Sequence, residues 1–331
     1  MRKQSLALVR HASIALAAVL LVPIAGIAAD PAWKPTKAVE LVAINAPGGG
    51  SDRILRLMVK VFQEQKAMDV PVNVVNKPGG GGAVAYAYVN QQSDGHALVL
   101  ANKSMLTNNI VGRGPSYTEF TPVVNLFGEY ISVTVRPDSP LKTGVDVVAA
   151  LKKDATSLPL GIATSIGNPN HQGLAVALSL AGVDIKKTRN VIFPSGGAAT
   201  TALMGGHVDV APVTAAFAAS LVRNGQVRVV AVAAPNRLGG VLASAPTWRE
   251  QGYDAVVSNW RTFLGPKGLS AAQVAYWERV FKRLTESAEW KKELDENFWQ
   301  NDFLTSAEAR KQMERDDARL RVFLKELALI K

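Results

Sequence analysis

The 331-residue sequence contains no cysteine and only four histidines. The absence of cysteine excludes disulfide bonds, thiolate nucleophiles and a lipid-anchored cysteine. Three histidines remain beyond residue 29, too few to favour a transition-metal site, because imidazole and thiolate are the side chains that hold such metals. We therefore expect a protein that carries no metal and no other cofactor.

Long apolar runs are also scarce, since the sequence has a single one. The uncharged stretch Ala12–Ala29 follows three basic residues and ends in small residues, an order typical of a secretory signal peptide. Cleavage after Ala28 is preferred because it leaves Gly26 at position −3, so residues 1–28 are predicted to be the signal. An uncleaved anchor is the alternative, which Pro23 argues against. We expect a periplasmic mature protein.

Several catalytic motifs are missing. The chain has no Gly-x-x-x-x-Gly-Lys-Ser/Thr loop, no Gly-x-Ser-x-Gly motif and no His-Glu-x-x-His motif. The run Gly80–Ala85 formally fits the dinucleotide pattern Gly-x-Gly-x-x-Ala, but glycine runs match such patterns easily and a secreted protein has little access to NAD. These absences favour a protein that is not an enzyme. A secreted hydrolase of unrecognised type is the alternative.

The charge balance is mildly basic. Lys and Arg number 37 against 27 Asp and Glu, and residues 1–29 hold three basic and no acidic residues, which leaves +7 for the remainder. Basic residues are scattered or mixed with acidic ones, as in residues 282–321, so a solvated surface is favoured over a nucleic-acid patch. We expect no nucleic-acid partner. The mature length of about 300 residues suits two domains.

Glycine is the residue that stands out, in three clusters that follow apolar runs. Pro47–Gly50, Pro78–Gly82 and Pro194–Gly197 each precede a stretch compatible with a helix. A glycine turn between a strand and a helix exposes unpaired backbone N–H groups, and the helix dipole adds partial positive charge there. The pattern predicts anion-binding loops. Ordinary tight turns are the alternative for any one of them.

Strands and helices alternate along the chain. Val39–Ile44, Val72–Val75 and Ala97–Ala101 are predicted strands separated by helical stretches, which indicates a βαβαβ unit with a parallel sheet. In such sheets ligands bind outside the carboxyl ends of the strands, where the first two glycine loops and Asn102 lie.

A second α/β unit starts in the middle of the chain. Asn168 fits the N-cap and Pro169 the first position of a helix that runs through Leu180. The other predicted elements are strands at Ile131–Val135, Leu160–Ala163, Val191–Phe193, Val208–Val210 and Val227–Val232 and amphipathic helices at Ala271–Leu284 and Ser306–Leu327.

Six motifs in a fixed order carry a resemblance to a known family. They are Ala46–Asp52, Asn76–Gly82, Asp94-Gly95-His96, Gly205–Val210, Ala245–Gly252 and Asn259-Trp260. Over essentially its whole mature length the chain resembles the Bug-type periplasmic substrate-binding receptors of tripartite tricarboxylate transporters. The resemblance implies an α/β fold of the two-lobed periplasmic binding protein type (type II-like), each lobe a mainly parallel sheet flanked by helices. Crossovers near Phe127–Ile131 and Ser258–Phe263 then divide it into lobe 1, residues 29–130 plus 259–331, and lobe 2, residues 131–258.

Two loops depart from the family's usual pattern. Thr164–His171 stands where a Gly-Ser-x-Gly-x-Gly-Ser type loop is common, and Pro194–Gly197 stands where Tyr-Lys-Gly-Gly or similar is common. Both lie where ligand chemistry would be decided. The resemblance therefore supports a transport role and leaves the particular acid open.

The resemblance implies a receptor that captures a small carboxylate, a citrate-like tricarboxylate or a dicarboxylate, for the integral membrane permease subunits of the transporter. We expect a monomer. A ligand-binding partner of a membrane sensor is a further alternative. Backbone N–H groups of the loops at residues 48–51 and 78–82 would hold one carboxylate while lobe 2 closes on the other end. The candidate ligand-binding residues are Gly48, Gly49, Gly50, Ser51, Pro78, Gly79, Gly80, Gly81, Asn102, Ser165, Asn168, His171, Ser195, Gly196, Gly197 and Thr214.

Three single residues have two interpretations each. His171, in the first turn of a helix, is more often a packing or capping group than a ligand contact. Asp52 would repel an anion in the cleft, and its position at a helix start is explained by the helix dipole. Arg261 fits either a bidentate pair with a ligand carboxylate or a surface ion pair.

Overall fold

The computed structural model describes residues 33–331, so the predicted signal peptide, residues 1–28, lies outside the described residues. The strands are β1 (Val39–Ala43), β2 (Val72–Asn76), β3 (Ala97–Asn102), β4 (Phe120–Val135), β5 (Leu160–Ala163), β6 (Asn190–Phe193), β7 (Ala211–Thr214), β8 (Arg228–Val232), β9 (Ser258–Pro266) and β10 (Trp299–Leu304). The α-helices are α1 (Gly50–Glu64), α2 (Ala83–Asn90), α3 (Ser104–Ile110), α4 (Gly144–Lys153), α5 (Pro169–Leu180), α6 (Gly196–Met204), α7 (Ala215–Arg223), α8 (Ala271–Glu286), α9 (Ala288–Glu296) and α10 (Ser306–Glu326).

The predicted βαβαβ unit is confirmed. β1 pairs in parallel with both β2 and β3. Alternate residues of β1 enter two different cores, since Leu41 packs with α1 and α8 residues while Val42 packs with α2, α3 and α10 residues. A strand covered on both faces reads as a continuous apolar run, which is why this element was visible in the sequence.

The whole sheet is mixed, in the order β10-β4-β9-β3-β1-β2. β9 runs antiparallel to β3 and β4, and β10 runs antiparallel to β4. The expectation of mainly parallel sheets therefore fits β1–β3 and the parallel pair β5–β6, and it does not fit the strands that join the two halves of the molecule.

β4 connects the two halves. It pairs with β9 and β10 as far as Tyr130, and with β7 and β8 from Ile131 onward. The cores change at the same point, because Phe127 packs with Phe263 whereas Ile131 packs with Trp248. We call the half around β1–β3 the first lobe and the half around β5–β8 the second lobe.

Two predicted elements of the second lobe have different outcomes. α5 begins at Pro169 with Asn168 as its N-cap, as predicted. The strand expected at Val208–Val210 has the wrong bounds, because β7 covers Ala211–Thr214 and, of the predicted residues, Val210 alone forms a bridge, to Leu160. An apolar run does not fix where strand pairing begins, and the partner strand decided it here.

α10 packs on both lobes. Met313 and Leu320 lie in a first-lobe core with Trp260, while Phe323 and Leu324 lie in the second-lobe core. Within residues 33–331 no helix combines the length and the apolar character needed to span a bilayer.

Candidate functional site

A cavity of about 620 Å³ is lined by loops of both lobes. These loops follow the carboxyl ends of β1, β2, β3 and β5, the place where open α/β sheets bind ligands. The lining residues are Ile44, Asn45, Ala46, Pro78–Gly82, Asn102, Ser104, Thr107, Asn108 and Arg113 from the first lobe and Thr164, Ser165 and Asn168 from the second.

The second glycine loop forms one wall of the cavity. Gly79, Gly80, Gly81 and Gly82 all have positive φ, between 55° and 130°, a conformation that other L-residues rarely adopt. The Gly82 N–H donates to the Gly79 carbonyl at 3.0 Å. Among residues 33–331, the N–H groups of Gly79, Gly80 and Gly81 have no acceptor. Three backbone donors are thus left for a ligand.

The first glycine loop satisfies three of its donors within the loop and α1. The Gly48 N–H donates to Asp52 at 2.8 Å, the Gly49 N–H to the Ala46 carbonyl at 3.0 Å, and the Ser51 N–H to the Asn45 side chain at 3.2 Å. Gly48, Gly49, Gly50 and Ser51 also lie outside the cavity lining.

The difference between the two loops is visible in their aligned sequences. Asn-x-Pro-Gly-Gly-Gly occurs at Asn45 and again 31 residues later at Asn76, which places Ala83 at the position of Asp52. The carboxylate that accepts from the first loop has no counterpart in the second loop. One copy is braced by its own side chain, and the other copy keeps free donors.

Asp52 ties the two loops together. Its carboxylate is 1 % exposed and accepts from the Gly48 N–H, from Asn76 Nδ2 at 3.0 Å and from Arg56 Nε at 2.9 Å. Asn76 Nδ2 also donates to the Asn45 carbonyl at 3.0 Å. The Arg56 hydrogen bond, opposed by burial and supported by the Gly48 N–H, lowers the pKa of Asp52 from 3.8 to about 2. Asp52 stays ionised and positions the loops without lining the cavity.

The second-lobe wall is the loop between β5 and α5. Asn168 uses its whole side chain to hold this loop: Oδ1 accepts from the His171 N–H at 2.8 Å, and Nδ2 donates to the Ala163 carbonyl and to Thr164 Oγ1. The Ser165 hydroxyl has no hydrogen-bond partner within the described chain and lines the cavity. Ser165 is therefore the second-lobe group available to a ligand.

His171 lies beneath this loop, outside the lining. Its side chain is buried, and Nδ1 accepts from the Gly167 N–H at 3.1 Å. Burial lowers the pKa of His171 from 6.5 to about 4, so the ring is neutral at neutral pH. Thr107 donates to the Gly167 carbonyl at 3.2 Å, which links α3 of the first lobe to the same turn. The ring packs and orients the loop.

The remaining second-lobe candidates lie at the same edge of the strands as Ser165, but they do not line the cavity. Ser195, Gly196 and Gly197 follow β6, and Thr214 ends β7. Ser195 Oγ is already the cap of α6, accepting from the Ala198 N–H at 3.1 Å. Of the candidate residues, the cavity brings together Pro78, Gly79, Gly80, Gly81, Asn102, Ser165 and Asn168. It leaves out Gly48, Gly49, Gly50, Ser51, His171, Ser195, Gly196, Gly197 and Thr214.

The cation considered from the sequence also lies elsewhere. Arg261 forms an ion pair with Glu129 in which the side chains are 11 % and 10 % exposed, and Glu129 also accepts from Trp299 Nε1 at 3.0 Å. This pair is buried at the β4–β9 ladder and is neither a surface pair nor part of the cavity lining.

The α3 side of the cavity holds residues that were not predicted from the sequence. Asn108 Nδ2 donates to the Gly81 carbonyl at 3.3 Å and supports the free-donor loop. Arg113 is the charged side chain of the lining, which holds no Asp, Glu or Lys among the described residues. The available signal was the polar stretch Thr107–Asn109 after the carboxyl end of β3, followed by Arg113 between two glycines.

Metal chemistry has no donor set in this region. Within residues 33–331 no group of three or more His, Asp or Glu side chains is placed to hold a metal ion. The donors of the cavity are amides, hydroxyls, backbone N–H groups and one guanidinium, a set suited to an anion with several oxygen atoms.

Comparisons with known proteins bear on the fold and the family. The structure is similar to a TctC solute binding protein from Polaromonas (24 % identity, TM-score 0.74, 88 % of this chain and 99 % of that one). It is similar to MatC from Rhodopseudomonas palustris with bound malate (21 %, TM-score 0.71, 90 % and 100 %) and to an R. palustris protein with adipate (21 %, TM-score 0.76, 89 % and 98 %). These likenesses show the two-lobed fold.

At the sequence level, the chain is 28 % identical over 242 residues to the UPF0065 protein in the TAR-I ttuE-ttuC' intergenic region of Agrobacterium vitis, covering 72 % of this chain and 68 % of that protein. The family model described as "Tripartite tricarboxylate transporter family receptor" matches residues 54–329, which include the second glycine loop, the β5–α5 loop and Arg113. The chain therefore belongs to the tripartite tricarboxylate transporter receptor family.

Proposed function

We propose that this protein is a periplasmic receptor that captures a small carboxylate between its two lobes and delivers it to the membrane subunits of a tripartite tricarboxylate-type transporter. The observation that carries the proposal is the second glycine loop. Gly79, Gly80 and Gly81, whose backbone N–H groups have no acceptor within residues 33–331, line a cavity whose charged lining residue is Arg113. A carboxylate supplies the acceptors that these donors lack.

Backbone donors suit reversible capture. Fixed amide dipoles select negative charge without the desolvation cost of a fully buried cation. Here the dipoles are held in place before the ligand arrives, since Asn76 anchors the end of β2 before the loop and Asn108 holds the Gly81 carbonyl. Less ordering is therefore required on binding, which favours affinity.

Closure of the lobes would complete the site. In this proposal lobe 1 is residues 29–130 plus 259–331 and lobe 2 is residues 131–258, with the hinge where β4 changes partners between Tyr130 and Ile131. Ser195, Gly196, Gly197 and Thr214 follow strands at the same sheet edge as Ser165. A hinge rotation would bring this edge toward the ligand.

Solved structures of this fold support the ligand class. Malate and adipate, each bound in one of the similar structures, are both dicarboxylates. The cavity lining also includes no histidine and no carboxylate among the described residues, so it has no group to act as a general base. This supports a receptor over a hydrolase.

Paired glycine variants test the proposal. Gly80→Val and Gly182→Val both place a β-branched residue at positive φ, 55° and 77°, and Gly182 has open space around it outside the cavity lining. Wild type is titrated with malate, adipate and citrate by calorimetry and thermal shift, where a ligand at 100 times its Kd stabilises by about 2.7 kcal/mol.

We expect both variants to lose stability, Gly80→Val more than Gly182→Val because its Cβ would lie 3.0 Å from Ala83 Cβ, and only Gly80→Val to lose most of the affinity. Small-angle scattering of the wild type should show a smaller radius of gyration with the bound acid. Unchanged affinity in Gly80→Val would show that the loop is only a turn. Consumption of the acid during the titration would show that the protein is an enzyme.

A further inference from the structure

We propose that Arg113 is the specificity-determining residue of the cavity: it pairs with a second carboxylate of the ligand, so that the receptor selects acids with at least two negative charges and no ammonium group. This inference rests on the proposed receptor function and adds the charge class of the ligand.

The backbone around Arg113 is fixed relative to the free-donor loop. The Arg113 N–H donates to the Asn108 carbonyl at 2.7 Å, and Asn109 Nδ2 donates to the Gly114 carbonyl at 3.1 Å. Asn108 in turn donates to the Gly81 carbonyl. The turn that carries the guanidinium is therefore connected through one side chain to the loop proposed to hold the first carboxylate.

The guanidinium itself is uncommitted. Arg113 is exposed and lines the cavity. Within residues 33–331 the arginines with a carboxylate partner are Arg56, Arg136, Arg237, Arg249, Arg261 and Arg321. Arg113 is not among them, and its side chain has no hydrogen-bond acceptor in that part of the chain. A planar guanidinium matches a carboxylate through two parallel hydrogen bonds, so a ligand carboxylate is the partner it fits.

The rest of the lining makes the site one-sided in charge. The neutral polar groups are the amides of Asn45, Asn102, Asn108 and Asn168 and the hydroxyls of Ser104, Thr107, Thr164 and Ser165. Asp52, the nearby acid, is buried outside the lining and already accepts three donors. An ammonium group on the ligand would find no carboxylate in the described lining and would meet the positive charge of Arg113, whereas a hydroxyl group would find hydrogen-bond partners.

Two consequences separate this inference from simple attraction of anions. Malate and aspartate share one carbon skeleton and differ by a hydroxyl against an ammonium group, so malate should bind more tightly. Removing the guanidinium should reduce diacid affinity by about tenfold to a hundredfold, the size expected for lost hydrogen bonds to a charged group. Arg113→Lys keeps the positive charge but loses the two parallel N–H donors of the guanidinium, so its affinity for diacids should lie between those of wild type and Arg113→Gln.

The test is calorimetry of wild type, Arg113→Gln, Arg113→Lys and Arg283→Gln with malate, adipate, citrate and aspartate. Arg283 is an exposed arginine of α8 outside the cavity, so its substitution removes the same net charge without touching the site. Urea unfolding of each variant checks the fold, and we expect no change there because Arg113 is exposed.

Each outcome has a definite meaning. A loss of tenfold or more for the best diacid in Arg113→Gln, with Arg283→Gln within about twofold of wild type and aspartate weaker than malate, supports the inference. Equal affinities of wild type and Arg113→Gln, or aspartate bound as tightly as malate, overturn it while the receptor function stands. Failure of wild type to bind any of the four acids overturns the proposed function itself.

Discussion

Replacing Asp52 by asparagine should destabilise the fold and loosen both glycine loops. Asp52 is buried and accepts hydrogen bonds from Gly48, Asn76 and Arg56. Asparagine keeps one acceptor oxygen but turns an N–H₂ group toward donors that need an acceptor. Buried donors without a partner are costly, so the substitution is not neutral despite its equal size.

The magnitude follows from the pKa of Asp52. Its fall from 3.8 to about 2 reports that the folded state favours the ionised form. At roughly 1.36 kcal/mol per unit this corresponds to about 2.5 kcal/mol, and we take about 2 kcal/mol because the Arg56 side chain is 58 % exposed and its contribution is screened. This stabilisation is present above the unfolded pKa near 4 and is lost as pH falls toward 2.

The assay is urea unfolding of wild type and Asp52→Asn at pH 7 and in steps from pH 4.5 to 2. The two proteins should differ by about 2 kcal/mol at pH 7, and the difference should shrink progressively as pH falls from about 4 to 2. Asp69→Asn is the matched control, because the Asp69 pair with Lys34 joins side chains that are 85 % and 67 % exposed, and its effect should stay within about 0.5 kcal/mol. Equal stabilities of wild type and Asp52→Asn at pH 7 would refute the conclusion that the hydrogen bonds to Asp52 stabilise the fold.

Two further predictions concern the loops. Ala83→Asp would give the second glycine loop the acceptor that Asp52 gives the first. The new carboxylate would compete for the Gly79 N–H and repel the ligand, so carboxylate affinity measured by calorimetry should fall at least tenfold. Unchanged affinity would contradict the interpretation that the loop's donors are free. His171 has a folded pKa of about 4 against 6.5 unfolded, so wild-type stability, measured by urea unfolding, should fall as pH drops from 6.5 to 4. His171→Asn should flatten this slope, and an unchanged slope would assign the pH dependence to other groups.

The parts of the fold visible in the sequence are those decided by local chemistry. β1 and β3 are buried on both faces and read as apolar runs, and the pair Asn168-Pro169 is a helix start in sequence and in structure. β4 shows the limit. Only its last residues were predicted as a strand, because its first part is defined by pairing with β9, which lies more than a hundred residues away in the chain.

The site was predictable as a place and not as a set of contacts. Topology put the glycine loops and Asn102 at one sheet edge, and seven candidate residues meet there in the cavity. Whether a backbone N–H is free depends on what folds back onto it, and no pattern rule for glycine loops includes the side chain at the Asp52 position. Arg113 was missed for a related reason, since a single arginine in a polar loop has no periodicity and only the bend after α3 brings it to the cavity.

The two copies of the Asn-x-Pro-Gly-Gly-Gly motif have different roles in the first lobe. In the first copy Asp52 satisfies the loop and holds Asn76, so this copy is a support for the second. In the second copy, consecutive glycines at positive φ leave three backbone N–H groups without an acceptor. Asn108 of α3 holds this loop through the Gly81 carbonyl. Free donors in a mobile loop would collapse onto the nearest carbonyl. Because β2 is anchored before this loop and Asn108 holds its Gly81 carbonyl, we propose that its donors stay open for an anion, and that Arg113, the only formal charge in the described lining, selects which anion binds.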